Sequence, residues 1–150
     1  MRLLTLNSHS LIEDNYEDKL NKFCCGVGQL MPHVIALQEV NQSIGGDCAD
    51  NHILRVYEIL KKRGINYHYV WRGMKESYGM YEEGLGILAR DEISDVDFVP
   101  LTEPRNDWKM RYTLGVKVKD LWFYSVHTGR WDDSDEPFWG QIEKLREAVR

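Results

Sequence analysis

The chain has 150 residues, 43% of them hydrophobic and 29% charged, the balance of one globular domain or of part of a larger one. Five Trp and eight Tyr make it too aromatic for a disordered tail, and no apolar run approaches the ~18 residues that span a bilayer. Nineteen Lys and Arg against 24 Asp and Glu leave a net charge of −5, which argues against a broad basic face for coating nucleic acid but not against a local site for one phosphate.

The chain opens with Met1 to Asn7, which turns polar at once and has no apolar core followed by a small-residue cleavage site, so no secretory signal is expected. Cys24, Cys25 and Cys48 are odd in number and lack zinc-type spacing. Reduced thiols and a cytoplasmic location are the expectation.

Residues 3–6 read as a short strand. Tyr16, Leu20, Phe23, Val27 and Leu30 recur at spacings of three and four, one face of a helix whose last turn is weakened by Gly26 and Gly28. Residues 34–37 form a continuous apolar run, the pattern of a strand covered on both faces. A second helix is predicted over 51–63, with Ile53, Tyr57 and Leu60 as its stripe, Lys61, Lys62 and Arg63 at the negative end of its dipole, and Gly64 as its cap. Residues 65–71 read as a third strand and 73–82 as a loop. Strands over 85–89, 96–99, 111–118 and 121–126 follow, joined by short turns. Phe138, Ile142, Leu145 and Val149 mark a last helix entered through Asp135, Glu136 and Pro137.

This order predicts an α/β, or α+β-like, fold: a mixed β-sheet with flanking helices. Helical crossovers keep the first three strands parallel, and hairpins reverse each strand after that. One rim of the sheet then collects Asn7, Glu39, Trp71 with Arg72, Glu83, Arg111 and His127. Ligands in such sheets favour the rim beyond the strands' carboxyl ends.

That rim suggests a chemistry. Glu39 follows a buried strand, and with the amide of Asn7 it offers the hard oxygens that magnesium prefers alongside water and phosphate. His127 ends a strand, where an imidazole can act as acid or base near neutral pH, with Glu83 at hand to hold and charge it. A guanidinium at Arg111 can clamp phosphate oxygens. Tyr78 and Tyr81, in the 73–82 loop, can donate to phosphate. Each residue alone also has an ordinary reading as a strand cap, a loop contact or a surface ion pair. His9 is a weak candidate at the rim; His33, His52 and His68 read as structural. The Asp132–Asp133 pair after Trp131 reads as solvated or capping rather than as a second metal site. Gly84 and Gly86 lack the later glycine and helix of a phosphate-cradling loop and read as close backbone approach. No GxSxG, Walker loop or HExxH occurs, which disfavours nucleophile-elbow hydrolases, P-loop ATPases and zincins.

Taken together, Leu3-Leu4-Thr5-Leu6-Asn7, Val34-Ile35-Ala36-Leu37-Gln38-Glu39-Val40, the segment from Tyr81-Glu82-Glu83-Gly84 to Arg90, and Tyr124-Ser125-Val126-His127-Thr128-Gly129 resemble, in order, motifs of the endonuclease/exonuclease/phosphatase superfamily. The run His127-Thr128-Gly129-Arg130-Trp131-Asp132-Asp133 resembles a bacterial branch of it. The resemblance implies a phosphoesterase dependent on Mg2+ or Mn2+, acting on nucleic acid or a small phosphodiester and needing no membrane. Glu39 and Asn7 would hold the metal. His127, Glu83 and Asn7 would be catalytic, and Arg111 and Tyr81 would bind phosphate. The family's later motifs, Gly-Asp-x-Asn and Ser-Asp-His, are not present in this sequence. The expectation is therefore a single incomplete domain over 1–150, about the first half of a two-sheet α/β sandwich, with the face meant for the second sheet uncovered. A non-catalytic truncated or degenerate domain that binds metal or a partner, and a small-molecule binding module without metal, are the alternative readings.

Overall fold

The computed structural model describes residues 1–105 and 107–149. Seven strands and three helices follow in the order β1 (Leu3–Asn7), α1 (Tyr16–Leu30), β2 (Val34–Ser43), α2 (His52–Lys62), β3 (His68–Ser77), β4 (Tyr81–Ala89), β5 (Ile93–Pro100), β6 (Tyr112–Val118), β7 (Leu121–Val126) and α3 (Phe138–Ala148), with one 3-10 turn at Ser10–Ile12. They build an α/β fold with two sheets. A mixed sheet has the order β1-β2-β4-β3, and an antiparallel sheet has the order β5-β6-β7. β1 and β2 are parallel, and β4 runs antiparallel to both β2 and β3, so the first three strands share a direction as the crossover rule requires.

The apolar run of β2 is explained by burial on both faces. Ile35 and Leu37 point to the helices, where Leu20, Cys24 and Val27 of α1 and Ile53, Val56 and Leu60 of α2 close one core. Val34 points the other way, with Leu85, Ile87 and Ala89 of β4, and meets Leu114, Val116 and Val118 of β6 in a second core. At ~25 cal/mol per Å2 of apolar surface removed from water, these two layers are the main stabilising term of the fold. Gly86 lets α2 approach β4: a Cβ there would lie 2.6 Å from Ile53 Cδ1.

Three expectations need correction. The antiparallel run does not extend the first sheet. β5, β6 and β7 form a sheet of their own that covers the face of β2 and β4 expected to lie open, because Leu114, Val116 and Val118 alternate inward on β6. The stretch 73–82 is not a loop. β3 and β4 run on through it as a long hairpin, paired from His68 with Ala89 to Ser77 with Tyr81. Its polar residues looked like a loop because the outer end of this hairpin is not covered by the helices. Tyr78 (φ 54°) and Gly79 (φ 63°) make the tight turn. Finally, the apolar stripe of α3 is only partly buried, and Val149 caps the helix from outside it. The buried residue of α3 is Gln141, whose Oε1 accepts from the Gly129 amide at 2.8 Å and whose Nε2 donates to the Glu136 carbonyl at 2.9 Å.

The two sheets are also joined by hydrogen bonds. Ser125 of β7 is fully buried; its hydroxyl donates to the Leu37 carbonyl at 2.9 Å and accepts from Gln38 Nε2 at 3.0 Å. No helix among the described residues is long and apolar enough to cross a membrane. Cys24 is buried, Cys25 and Cys48 are exposed, and all three are free thiols.

Ser125→Ala removes the hydroxyl that donates to the Leu37 carbonyl and the nearest of three acceptors of Gln38 Nε2, leaving Thr5 Oγ1 at 3.3 Å and the Ala36 carbonyl at 3.4 Å, and we expect it to cost about 0.5–1.5 kcal/mol in urea unfolding. A pH effect is expected from His52. It is buried at the start of α2 and shares a hydrogen bond at 2.9 Å with the Tyr16 hydroxyl, which burial pushes up to about 12. Burial, reinforced by the Arg55 cation, lowers the imidazole from 6.5 to about 4. The unfolded chain therefore takes up this proton first. The contribution is present above pH 6.5 and is lost as pH falls to 4, by about 3 kcal/mol. Urea titrations at the two pH values check it, and His52→Gln should shrink the loss.

Candidate functional site

At one end of the two sheets lies a cavity of about 720 Å3. Asn7, Glu39, Glu83, Arg111 and His127, drawn from β1, β2, β4, the start of β6 and the end of β7, all line it. Five of the rim residues read from sequence are thus brought together.

Glu39 is placed by a break in β2. The register with β4 shifts between Leu37 and Val40, and Glu39 takes φ 52°, a left-handed conformation that costs a non-glycine residue about 1–2 kcal/mol. The Ser8 and Ser10 hydroxyls hold it there by donating to the Glu39 carbonyl at 3.1 and 2.8 Å, and Ser10 Oγ also accepts from the backbone N–H of Asn41 at 2.9 Å. The carboxylate then turns into the cavity. Asn7 Nδ2 donates to its Oε1 at 2.9 Å, and Asn7 Oδ1 accepts from the His9 amide at 3.2 Å. His127 Nε2 lies 3.8 Å from Oε1, and His9 Nε2 lies 4.0 Å from Oε2.

The carboxylate nearest His127 is therefore Glu39, not Glu83. Glu83 is buried and pairs with Lys75, 3.1 Å from its Oε1, because the hairpin places Lys75 opposite Glu83 on the same face. Lys75 Nζ also donates to the Trp108 carbonyl at 3.0 Å. Arg111 is buried, and its Nη1 donates to the carbonyls of Trp108 at 2.6 Å and Met110 at 2.8 Å. Burial lowers Lys75, opposed by Glu83 and reinforced by Arg111. Burial also pulls Arg111 below its ordinary value, opposed by Glu83 and Glu39, but a guanidinium stays charged. His127 falls below 6.5 through burial first. Glu39 opposes that shift, the Arg111 cation reinforces it, and Glu83 and Lys75 act in the same two senses.

Unmet hydrogen-bonding capacity is concentrated here. Among the described residues, the buried side-chain atoms with neither a hydrogen bond nor an ion-pair partner are both side-chain amide atoms of Asn41, Arg111 Nε and His127 Nδ1, while Glu83 Oε1 is met only by the Lys75 ammonium. Arg111 and His127 line the cavity, and Asn41 pairs in register with Glu83, which lines it too. Buried polar atoms are normally satisfied, so a cluster of exceptions in one concave site marks a place for a polar guest. Among the described residues no cluster of three or more His, Cys, Asp or Glu could hold a metal.

Other expectations fall differently. Trp71 and Arg72 sit mid-strand on β3, away from the cavity; β3 reaches the rim at Lys75 to Ser77 instead. Tyr81 starts β4, opposite Ser77 and Ser43, and does not line the cavity, whereas Tyr78 at the hairpin tip does. His9 lines it too. Asp133 caps the turn before α3, accepting from the amides of Asp135 at 2.9 Å and Glu136 at 3.1 Å, and pairs with Lys109 at 3.0 Å. Lys75 and Trp108 were not among the candidates. The alternation Lys75, Ser77 on β3 against Glu83 on β4 is the signal that would have found Lys75, had 73–82 been read as a hairpin.

The chain has the fold of endonuclease/exonuclease/phosphatase proteins. Its structure matches an endonuclease/exonuclease/phosphatase family protein from Leptotrichia buccalis C-1013-b with a TM-score of 0.92 at 23% identity, over 100% of this chain and 63% of that one. It also matches the 3'-5' exonuclease NExo from Neisseria meningitidis (TM-score 0.61, 21% identity, 99% of this chain and 49% of that one). A third match is D. rerio TDP2 complexed with single strand DNA product (TM-score 0.61, 17% identity, 98% and 52%). The chain thus spans about half to two thirds of the length of these structures. No family model and no curated protein matches the sequence.

Followed by NMR, the His127 ring should titrate below 6.5. Arg111→Gln, which removes a neighbouring cation, should move the midpoint up, and Glu39→Gln, which removes the nearest carboxylate, should move it further down.

Proposed function

We propose that this cavity is the site of a phosphoesterase dependent on Mg2+ or Mn2+, in which water attacks phosphorus in line with the leaving oxygen. What carries the reading is the clustering of unpartnered buried polar atoms around Glu39, Arg111 and His127 in one cavity. The fold shared with endonuclease/exonuclease/phosphatase proteins, and the nucleases and single strand DNA product in their descriptions, favour a nucleic-acid phosphodiester as the substrate.

The donor set fits a hard cation. Glu39 supplies carboxylate oxygens at the cavity wall, Asn7 stands beside it, and the unpartnered side-chain amide of Asn41 lies two residues along the same strand. Magnesium commonly takes one or two carboxylates and fills its remaining positions with water and phosphate oxygens. When bound, it would neutralise charge gathering on the phosphoryl and leaving oxygens.

Glu39 would hold the cation, with Asn7 orienting the carboxylate through their hydrogen bond. Arg111 would bind a non-bridging phosphate oxygen, its unpartnered Nε being free to donate. His127 would contact and protonate around the scissile phosphate. Burial disfavours its cationic form, and the negative charge of an arriving phosphate opposes that effect, so the proton is held when substrate is present. Glu83 would support His127 as a counter-charge rather than as its hydrogen-bond partner, since Lys75 occupies its carboxylate. Tyr78, rather than Tyr81, would be the tyrosine that reaches phosphate.

The test is hydrolysis of a plasmid, an apurinic duplex, sphingomyelin and an aryl phosphodiester, each with Mg2+, with Mn2+ and with EDTA, alongside calorimetry of Mg2+ binding. We expect cation-dependent cleavage, reduced at least about 100-fold by Glu39→Ala and by His127→Ala, with Mg2+ binding lost only in the first. Wild-type turnover in either variant overturns the assignment. Mg2+ binding without cleavage of any substrate returns the chain to the non-catalytic reading.

A further inference from the structure

Trp108 is an exposed indole on a fixed backbone. Its side of the cavity is open, with the residue 55% exposed, yet its carbonyl is gripped by two buried cations, Lys75 at 3.0 Å and Arg111 at 2.6 Å. The ring is backed by Lys109, whose ammonium lies 5.5 Å from the ring centre. Lys109 is itself held by Asp133 at 3.0 Å and Asp135 at 2.7 Å. The aspartates that follow Trp131 thus act on the site indirectly, by fixing the lysine behind Trp108. Across the same cavity wall, Tyr78 stands 70% exposed on the hairpin tip.

An exposed indole costs hydration, and a cavity meant only for phosphate does not need one. The two cations under Trp108 could bind phosphate without it. The ring instead stands beside the phosphate-binding groups on a backbone that is held before any ligand arrives, with Lys109 over one face and more than half of the residue open to solvent. Pre-organisation of this kind lowers the ordering cost of binding. Stacking also gives a net-acidic protein affinity for a nucleic-acid strand without a basic face, and it is available only to bases that are not already stacked and paired.

We propose that Trp108 is a stacking platform for an unpaired nucleobase next to the phosphate held by Arg111, so that the site selects nucleotides at single-stranded positions over paired ones. Lys75 and Lys109 are positioning residues for this platform. The inference rests on the phosphoester reading and adds the substrate class to it.

The experiment is calorimetric titration of the full chain, in Mg2+, with thymidine 5′-monophosphate and with 2-deoxyribose 5-phosphate, which keeps the phosphate and lacks the base. Wild type should bind the nucleotide about tenfold more tightly than the sugar phosphate. Trp108→Ala should abolish that difference while leaving sugar-phosphate affinity within twofold, and Trp108→Phe should retain most of it. An oligothymidylate should lose affinity on Trp108→Ala, and a duplex of equal length should not. Equal binding of the two small ligands by wild type overturns the platform and leaves the phosphate site standing. An equal loss for both in Trp108→Ala shows a structural role and overturns the platform as well. Binding of neither by wild type overturns the phosphoester reading and this inference together.

Discussion

The left-handed backbone at Glu39 is the constraint around which the site is arranged. A regular strand would carry residues 38 and 39 to alternate faces in register with β4. The shift between Leu37 and Val40 instead turns the Glu39 carboxylate toward Asn7 and His127, while Gln38 keeps the face of Val34 and reaches Ser125 between the sheets. Two serine hydroxyls on the loop after β1 hold the strained carbonyl in place. The same few residues thus join β1, β2 and β7, and the geometry of the site is inseparable from the joint between the two sheets. Strain of this kind persists only where surrounding contacts over-determine it, and it is common at sites that bind or react.

Charge at the site is balanced in spite of the acidic sequence. Glu39 and Glu83 stand against Lys75 and Arg111, with His127 between them. Burial makes each of these charges costly alone, so each is set against an opposite one. The arrangement leaves a locally cationic wall at Arg111 and an anionic one at Glu39, which is the polarity needed to hold a phosphate on one side and a divalent cation on the other. Net charge is a property of the whole surface and carries no information about this separation.

Much of the scaffold was legible in the sequence because burial leaves periodic traces. Leu20 and Val27 of the α1 stripe, Ile53 and Leu60 of the Asn51-capped α2 stripe and the doubly buried run of β2 bury at the expected spacing, whereas Leu30 is exposed and Val56, outside the predicted stripe, is buried in place of Tyr57. The direction of the strands followed from the connections between them, and with it the meeting of Asn7, Glu39, Glu83, Arg111 and His127. The outer half of the β3–β4 hairpin was not legible, since strands with polar residues on both faces carry no apolar alternation. With that hairpin unread, Lys75 was missed, Tyr81 was placed at the site in preference to Tyr78, and Glu83 was assigned to the imidazole rather than to the lysine opposite it.

By itself, then, the sequence determined which segments become helices and strands and which rim gathers the chargeable residues, because periodicity and chain direction are local or nearly local properties. Only the tertiary structure decided that β5–β7 form a separate sheet packed over β2 and β4, and which acid faces which base. Those outcomes depend on side chains 30 to 90 positions apart settling within about 4 Å of one another, as Gln38 does with Ser125 and Glu39 with His127. A separation of that length leaves no spacing in the chain to read.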